Sequence, residues 1–228
     1  MRLLIVGYGR MGKLVESLAP ARGFEVVGVF DIDNNTDGRG LATPPPADVA
    51  IEFAMPSATV QNLPLYARHG INAVVGTTGW LEHEPRLRRI LAESPIGVVV
   101  SSNYSLGANL FQSMVEHAAR QFALQADYGA WVYEAHHAAK ADAPSGTALT
   151  LKAGMEAAGY ARRIDVSSTR AGSIPGTHTV GFDGPSDTVT LTHTNRDRAA
   201  FALGALEAAR WVIGKRGWFT MRDVLQID

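Results

Sequence analysis

The chain has 228 residues, enough for one large domain or two small ones, and is 46% hydrophobic and 19% charged, an ordinary globular composition. A net charge of −1 gives no electrostatic reason for nucleic-acid or anionic-membrane binding, and neither is expected as a partner. The absence of cysteine excludes disulfides, thiolate nucleophiles and cysteine-ligated metals.

The apolar start, Leu3 to Val6, is too short for a signal-peptide core and runs straight into a glycine motif, so it reads as a buried strand. The longest apolar runs elsewhere fall well short of the ~20 residues of a bilayer crossing, which points to a cytoplasmic protein. Val26 to Phe30, Val49 to Phe53, Ala73 to Val75 and Val98 to Val100 are further compact, largely β-branched runs, the mark of strands covered on both faces. Helix-like segments at Met11 to Ala19, Thr59 to His69 and Pro85 to Ala92 separate them and predict a parallel sheet with right-handed crossovers. Asn34 to Pro46, with Gly38, Gly40 and three consecutive prolines, reads as an irregular connection where a fuller fold would carry another strand and helix.

Beyond Asn103 the pattern changes. Leu110 to Phe122 predicts a helix, Trp131 to Ala135 a strand, and Thr147 to Ala158 a helix ended by Gly159. Three strand-like runs follow, Ile164 to Thr169, Thr177 to Phe182 and Thr188 to His193, with the turn pair Asp183-Gly184 between the last two. An antiparallel sheet is expected here, with one face to be covered, plausibly by another subunit. Phe201 to Ile213 closes the helices, and the tail from Phe219 to Ile227 reads as a return to the first domain. The fold class is therefore α/β: a Rossmann-like parallel-sheet domain, 1–104 plus 207–228, with an inserted α+β domain over 105–206.

Gly7-Tyr8-Gly9-Arg10-Met11-Gly12 is a G-x-G-x-x-G set after a strand and opening a helix. Gly7 permits the tight turn, Gly9 lets backbone approach a pyrophosphate, and Gly12 lets helix and strand pack closely. The second strand ends at Asp31, close to the ~20-residue offset of an acid that binds an adenosine ribose. Asp31 favours NADH, while Arg10 and Lys13 leave NADPH open, so the cofactor is NADH and/or NADPH. Gly76-Thr77-Thr78-Gly79 and Ser101-Ser102-Asn103-Tyr104 also follow strands, where they suit a nicotinamide or ribose and equally suit turns.

The densest chemistry runs from Glu134 to Ala148 and holds His136, His137, Lys140, Asp142, Ser145, Gly146 and Thr147. Adjacent histidines on a strand face opposite ways and no third ligand stands at a natural spacing, so no metal is expected. Ser145 lacks the flanking glycines of a hydrolase elbow. The helix start at Gly146 and Thr147 offers N–H groups to a carboxylate, and His137 and Lys140 suit a second carboxylate or a proton transfer. Taken alone, the segment also suits a solvated loop before a capped helix.

Gly7 to Gly12, Gly76 to Gly79, Asn103 to Gly107 and above all Glu134 to Ala148 resemble the 4-hydroxy-tetrahydrodipicolinate reductase family. Arg170-Ala171-Gly172, Gly176-Thr177-His178, His193, Arg198 and Phe201 follow in the family's order, and the resemblance runs to Met221 through Leu225. It implies hydride transfer from NAD(P)H to a small cyclic dicarboxylate in diaminopimelate and lysine biosynthesis, and a homotetramer. It further implies His136 as general acid/base, Lys140 as proton donor, and His137, Gly146 and Thr147 as substrate contacts. The chain departs from the family's pattern in the short 34–46 region, in Glu52-Phe53-Ala54, and in Ser101-Ser102. Two other readings remain in play: a different small dehydrogenase, such as one acting on aspartate, and a dinucleotide sensor with no need of His136 or Lys140.

Overall fold

A computed structural model describes residues 1–227. The chain divides into two compact units, Met1–Leu106 with the chain from Arg198 onward, and Gly107–Asp197.

In the first unit, strands β1 (Arg2–Val6), β2 (Glu25–Phe30), β3 (Val49–Glu52), β4 (Asn72–Val75), β5 (Gly97–Val100) and, numbered along the chain, β10 (Gly217–Phe219) form one sheet. Its order is β10-β5-β4-β3-β1-β2, and every pairing is parallel. Alternate residues of β1 enter different cores: Leu3 and Ile5 one, Leu4 and Val6 the other. A strand covered on both faces must be apolar throughout, which is why these runs carry no polar alternation. Helices α1 (Arg10–Leu18), α6 (Ala199–Val212) and α7 (Met221–Leu225) complete the first core; α2 (Pro56–His69) and α3 (Glu84–Leu91) complete the second. Chain order reverses at β1, with β2 on one side and β3 on the other. The crevice that open parallel sheets use for ligands therefore lies at the carboxyl ends of β1 and β3.

Between β2 and β3 the short connection makes two 3₁₀ turns, Thr36–Gly38 and Gly40–Ala42, and buries Leu41 in the second core. All of α6 lies in this unit, whereas the sequence placed its first half in the inserted domain. Its buried stripe, Ala202, Ala205, Leu206, Ala208 and Ala209, belongs to the first core, and the tail adds β10 beside β5.

The second unit holds α4 (Leu106–Ala123, less its first residue), β6 (Gly129–His136), α5 (Gly146–Ala157), β7 (Ile164–Arg170), β8 (Gly176–Asp183) and β9 (Thr188–Asn195). Sheet order is β7-β6-β8-β9. The expected all-antiparallel sheet is in fact mixed: β6 runs parallel to β7, with α5 as the crossover, and only the other pairings are antiparallel. A strand–helix–strand connection returns the second strand in the direction of the first, as in any βαβ unit. One face packs Val132, Val180 and Phe182 against Phe111, Val115, Leu151 and Met155 of α4 and α5. The other carries Trp131 lying over Gly181, the pair Tyr133–Thr169, and threonine pairs Thr177–Thr194 and Thr179–Thr192 across β8 and β9. Among the described residues no helix is long and apolar enough to cross a membrane.

Gly204 of α6 is fixed by backbone: a Cβ there would stand 1.7 Å from the Tyr104 carbonyl oxygen. Gly204→Ala is expected to cost about 2–3 kcal/mol, the upper range of overpacking, in urea unfolding. Gly129→Ala, with nothing within 4 Å of its Cβ position, is expected to leave the midpoint almost unmoved.

Candidate active site

In the first unit, β1 is followed by Gly7 at φ +88°, a conformation L side chains rarely adopt. A Cβ at Gly7 would come within 2.2 Å of the Phe53 carbonyl oxygen, and one at Gly12 within 2.1 Å of the Gly7 carbonyl oxygen. Gly9 differs, because nothing lies within 4 Å of its Cβ position. It is the N-cap of α1 and no side chain caps it, so the first-turn N–H groups of Arg10 and Met11 have no helical acceptor. Open space in front of unpaired N–H groups is the geometry that accepts a phosphate. Tyr8 donates its hydroxyl to Glu16, and the Lys13 ammonium sits 5.6 Å from the Tyr8 ring centre.

A cavity of ≈ 460 Å³ opens beside Gly7 and Gly9, with Asp31 and Phe53 in its wall and the exposed side chains of Ile32 and Met55 along it. Gly76 makes room for the Phe53 ring, which a Cβ would meet at 2.1 Å. Thr77 is buried, and its Oγ1 accepts the Ala54 N–H at 2.9 Å. Tyr104 is 1% exposed, and its hydroxyl is shared between the Val75 and Val99 carbonyls, 2.9 Å from each. Both side chains fix strand ends, Tyr104 with its only O–H committed to the two carbonyls and Thr77 with its O–H still free to donate. Ser101 donates to the Asn103 carbonyl at 2.8 Å and accepts its N–H at 3.1 Å, a local turn, while Thr78 and Ser102 are exposed.

The second unit gathers the rest around Glu134. Alternation along β6 puts Glu134 and His136 on one face and leaves His137 exposed at the strand's end. The parallel register sets Arg170 of β7 opposite His136. Arg170 then grips Glu134 with both terminal nitrogens, at 2.9 and 2.7 Å, and also donates to the Asp142 carbonyl. Glu134 accepts in addition from His136 Nδ1 and from the Ser145 N–H at 3.2 Å. Ser145 caps α5 by accepting the Ala148 N–H, and its hydroxyl meets His178 Nε2 at 3.1 Å. Half-buried Lys140 donates to Asp142 Oδ1 at 2.6 Å, and the Gly146 N–H donates to the other oxygen of Asp142 at 3.3 Å. Thr147 follows in the first turn of α5. Thus His136, His137, Lys140, Gly146 and Thr147 stand on one loop, anchored at both ends by one carboxylate.

Burial alone would raise the Glu134 pKa, but hydrogen bonds from Arg170, Ser168, His136 and Ser145 outweigh it and hold the carboxyl at about 2. His136 is lowered by burial, which the Glu134 carboxylate opposes and the Lys140 and Arg170 charges reinforce. It is therefore neutral near pH 7, with Nδ1–H on Glu134 and the Nε2 lone pair open. Burial, with His136 adding to it, takes His178 down to about 4, so it accepts the Ser145 hydroxyl as a neutral ring.

Glu134, His136 and His178 place one ligand atom each within 4.8 Å of one another, spacing that a metal ion also uses. The Arg170 guanidinium already fills both Glu134 oxygens and adds a positive charge, so the donor set suits an ion-pair network instead of a cation. Arg170 and His178 carried no role in the sequence reading. The available signal was Glu134, two places before His136 on a strand and so on the same face, an acid that needs a partner.

Models of the family described as dihydrodipicolinate reductase match the chain from end to end, the N-terminus model over residues 1–104 and the C-terminus model over 107–225. The chain belongs to this family. A 4-hydroxy-tetrahydrodipicolinate reductase of Christiangramia forsetii is 35% identical to it over 236 residues, 99% of this chain and 98% of the relative. Another, of Archaeoglobus fulgidus, is 36% identical over 261 residues, 99% of this chain and 100% of the relative. Among solved structures, a dipicolinate-bound dihydrodipicolinate reductase from Paenisporosarcina sp. TG-14 has a TM-score of 0.82 at 20% identity, covering 96% of this chain and 97% of that one, a likeness of fold. An amine dehydrogenase from Mycobacterium smegmatis shares the fold more loosely, with a TM-score of 0.62 at 12% identity over 95% and 93% of the two chains.

Glu134→Gln removes the counter-charge of Arg170. With the folded carboxyl at about 2 against an ordinary 4.5, its contribution is full above pH 4.5 and fades as pH falls toward 2. Unfolding free energies of wild type and variant from urea titration are expected to differ by about 3 kcal/mol near neutrality and to converge in acid. A gap that stays constant with pH would contradict the pairing.

Proposed function

We propose that this chain reduces 4-hydroxy-tetrahydrodipicolinate to tetrahydrodipicolinate with NADH or NADPH, on the diaminopimelate route to lysine. Two full-length relatives bear that name, and one observation carries the reading: the loop from Glu134 to Thr147 gathers a lysine, two histidines and a helix N-terminus around a buried carboxylate. Such a set binds a small dicarboxylate and moves a proton.

The first unit fits the dinucleotide. The N–H groups of Arg10 and Met11 hold the pyrophosphate, with Gly7, Tyr8, Gly9 and Gly12 giving it room, and Asp31 accepts from the adenosine ribose. Gly76, Thr77, Thr78, Ser101, Ser102, Asn103 and Tyr104 form the strand ends on the nicotinamide side, Thr77 and Tyr104 by shaping the backbone. The reduced nicotinamide supplies a hydride when bound.

The second unit supplies the proton and the grip. The ring loses its 4-hydroxyl as water, and the conjugated imine that results gains a hydride and must gain a proton, which Lys140 donates to carbon. His136 is neutral, is oriented through Nδ1–H by Glu134, and offers Nε2 as the general acid/base atom. One substrate carboxylate takes the N–H groups of Gly146 and Thr147, and the other meets His137. Asp142 holds the Lys140 ammonium and the Gly146 N–H in this structure. A substrate carboxylate competes with Asp142 for the Gly146 N–H, and binding frees Lys140 while the exposed Asp142 carboxylate passes to solvent. The open face of the second sheet, with Trp131 and its threonine pairs, is the surface on which copies assemble as a homotetramer.

The test is oxidation of NADH or NADPH, followed by absorbance, with substrate made in place from pyruvate and aspartate semialdehyde by its synthase. Wild type is expected to turn over. Lys140→Ala is expected to lose about 10²–10⁴-fold in kcat with the cofactor KM little changed. Tight dinucleotide binding with no oxidation in the coupled mixture would overturn the reductase reading and favour a sensor.

A further inference from the structure

Glu52 is completely buried at the carboxyl end of β3, where a charge is costly unless its hydrogen bonds are met inside the protein. One helix face meets them. Thr59, Asn62 and Tyr66 follow each other on α2 at spacings of three and four, and each donates to the Glu52 carboxylate: Thr59 to one oxygen, Tyr66 and Asn62 (3.2 Å) to the other. Thr59 and Asn62 are themselves fully buried, so no water shares the work.

The chain of bonds goes further. With its amide nitrogen on Glu52, Asn62 must turn its oxygen away, and that oxygen accepts from Asn35 Nδ2 at 3.2 Å. The Asn35 oxygen in turn accepts the Leu41 N–H at 3.1 Å, and the Asn35 backbone joins Asp31 and Gly38. Asn35 is thus the hub of the short connection between β2 and β3. Gly38, at φ +74°, lets that connection lie against α2, since a Cβ there would stand 2.8 Å from Leu65 Cδ1. The connection is a wall of the cavity beside the glycine motif, to which it contributes Asn35, Thr36 and Asp37 together with Gly9 and Phe53.

We infer that Glu52 is a positioning residue for the cofactor: through Asn62 and Asn35 it holds the 34–42 connection in place as the wall of the dinucleotide pocket, doing with one buried polar chain what a strand and helix would otherwise do. The wall also has a chemical consequence. Asp37 joins Asp31 on the cavity, and no lysine or arginine is among the described residues lining it. Two carboxylates and no cation disfavour the extra phosphate of NADPH, so the placement of this wall sets a preference for NADH. This inference rests on the reductase reading above and refines the cofactor end of the same site.

Two variants test it in the intact protein, with NADH, NADPH and substrate varied separately. Glu52→Gln turns an amide N–H toward donors that need an acceptor. Asn35→Ala cuts the wall from the network while Glu52 keeps all its donors, so it folds even where the first variant does not. Both are expected to raise the KM for NADH by about five- to tenfold, as the loss of a buried hydrogen bond would, and to lower the ratio of kcat/KM for NADH to that for NADPH. Both should leave kcat and the substrate KM within about twofold. Asp37→Ser is expected to lower the same ratio by raising kcat/KM for NADPH. An unchanged NADH KM in Asn35→Ala, or kcat, substrate KM and cofactor KM all worsening in step, would overturn it. Calorimetric titration of the wild type with NADH separates the two failures: no binding there sinks the reductase reading itself, whereas binding that the variants do not weaken sinks only this inference.

Discussion

Glu134 has no exposed side-chain surface, yet it is ionised, and a carboxylate in that position must be given its hydrogen bonds by the fold. Arg170 supplies two from the neighbouring strand, His136 one from the next residue on the same face, and Ser145 one from the start of α5. Those partners are the boundary stones of the functional loop. Its beginning, its far end and the strand beside it are all tied to one side chain, so His136 and Gly146 cannot wander independently. Low local dielectric strengthens each bond and also makes each one costly to lose. The same carboxylate fixes which ring nitrogen of His136 carries hydrogen, and a structural anchor thereby becomes a determinant of proton chemistry.

The first unit shows the complementary strategy. Its ligand crevice is made by subtraction, with glycines where backbone comes close and open space in front of α1. Gly7 and Gly12 are held to glycine by atoms of the protein itself, whereas Gly9 faces nothing, which is the difference between a glycine that packs and one that leaves room. A second buried carboxylate, Glu52, sits at the end of β3 and is answered by three donors from one helix. In both units, then, a fully buried acid at the end of a strand gathers hydrogen bonds from the elements around it.

The sequence made the parallel sheet legible because doubly covered strands cannot alternate, and the glycine motif legible because the turn, the helix and the acid occur in order. It also located the loop from Glu134 to Thr147, whose residue types are too concentrated for an ordinary turn. What it hid depended on pairing between distant segments. Arg170 reaches Glu134 only because β7 runs parallel to β6, and an alternating strand looks the same in either direction; the intervening helix α5 was the overlooked clue. Thr77 and Tyr104 stand at strand ends in the sequence, and only the structure shows the backbone groups they meet there, the Ala54 N–H for Thr77 and the Val75 and Val99 carbonyls for Tyr104. Glu52 stood out as a departure from pattern, and its three donors on α2 could be matched to it only once the helix lay beside the strand.

The most direct test of the central claim, that one anchored loop binds the substrate, is a crystal structure with NADH and pyridine-2,6-dicarboxylate bound. One carboxylate of the ligand is expected on the Gly146 and Thr147 N–H groups, Lys140 turned from Asp142 toward the ligand, and the Glu134–Arg170 pair unmoved. A dicarboxylate bound away from the 134–147 loop, or a Glu134–Arg170 pair broken on binding, would contradict it.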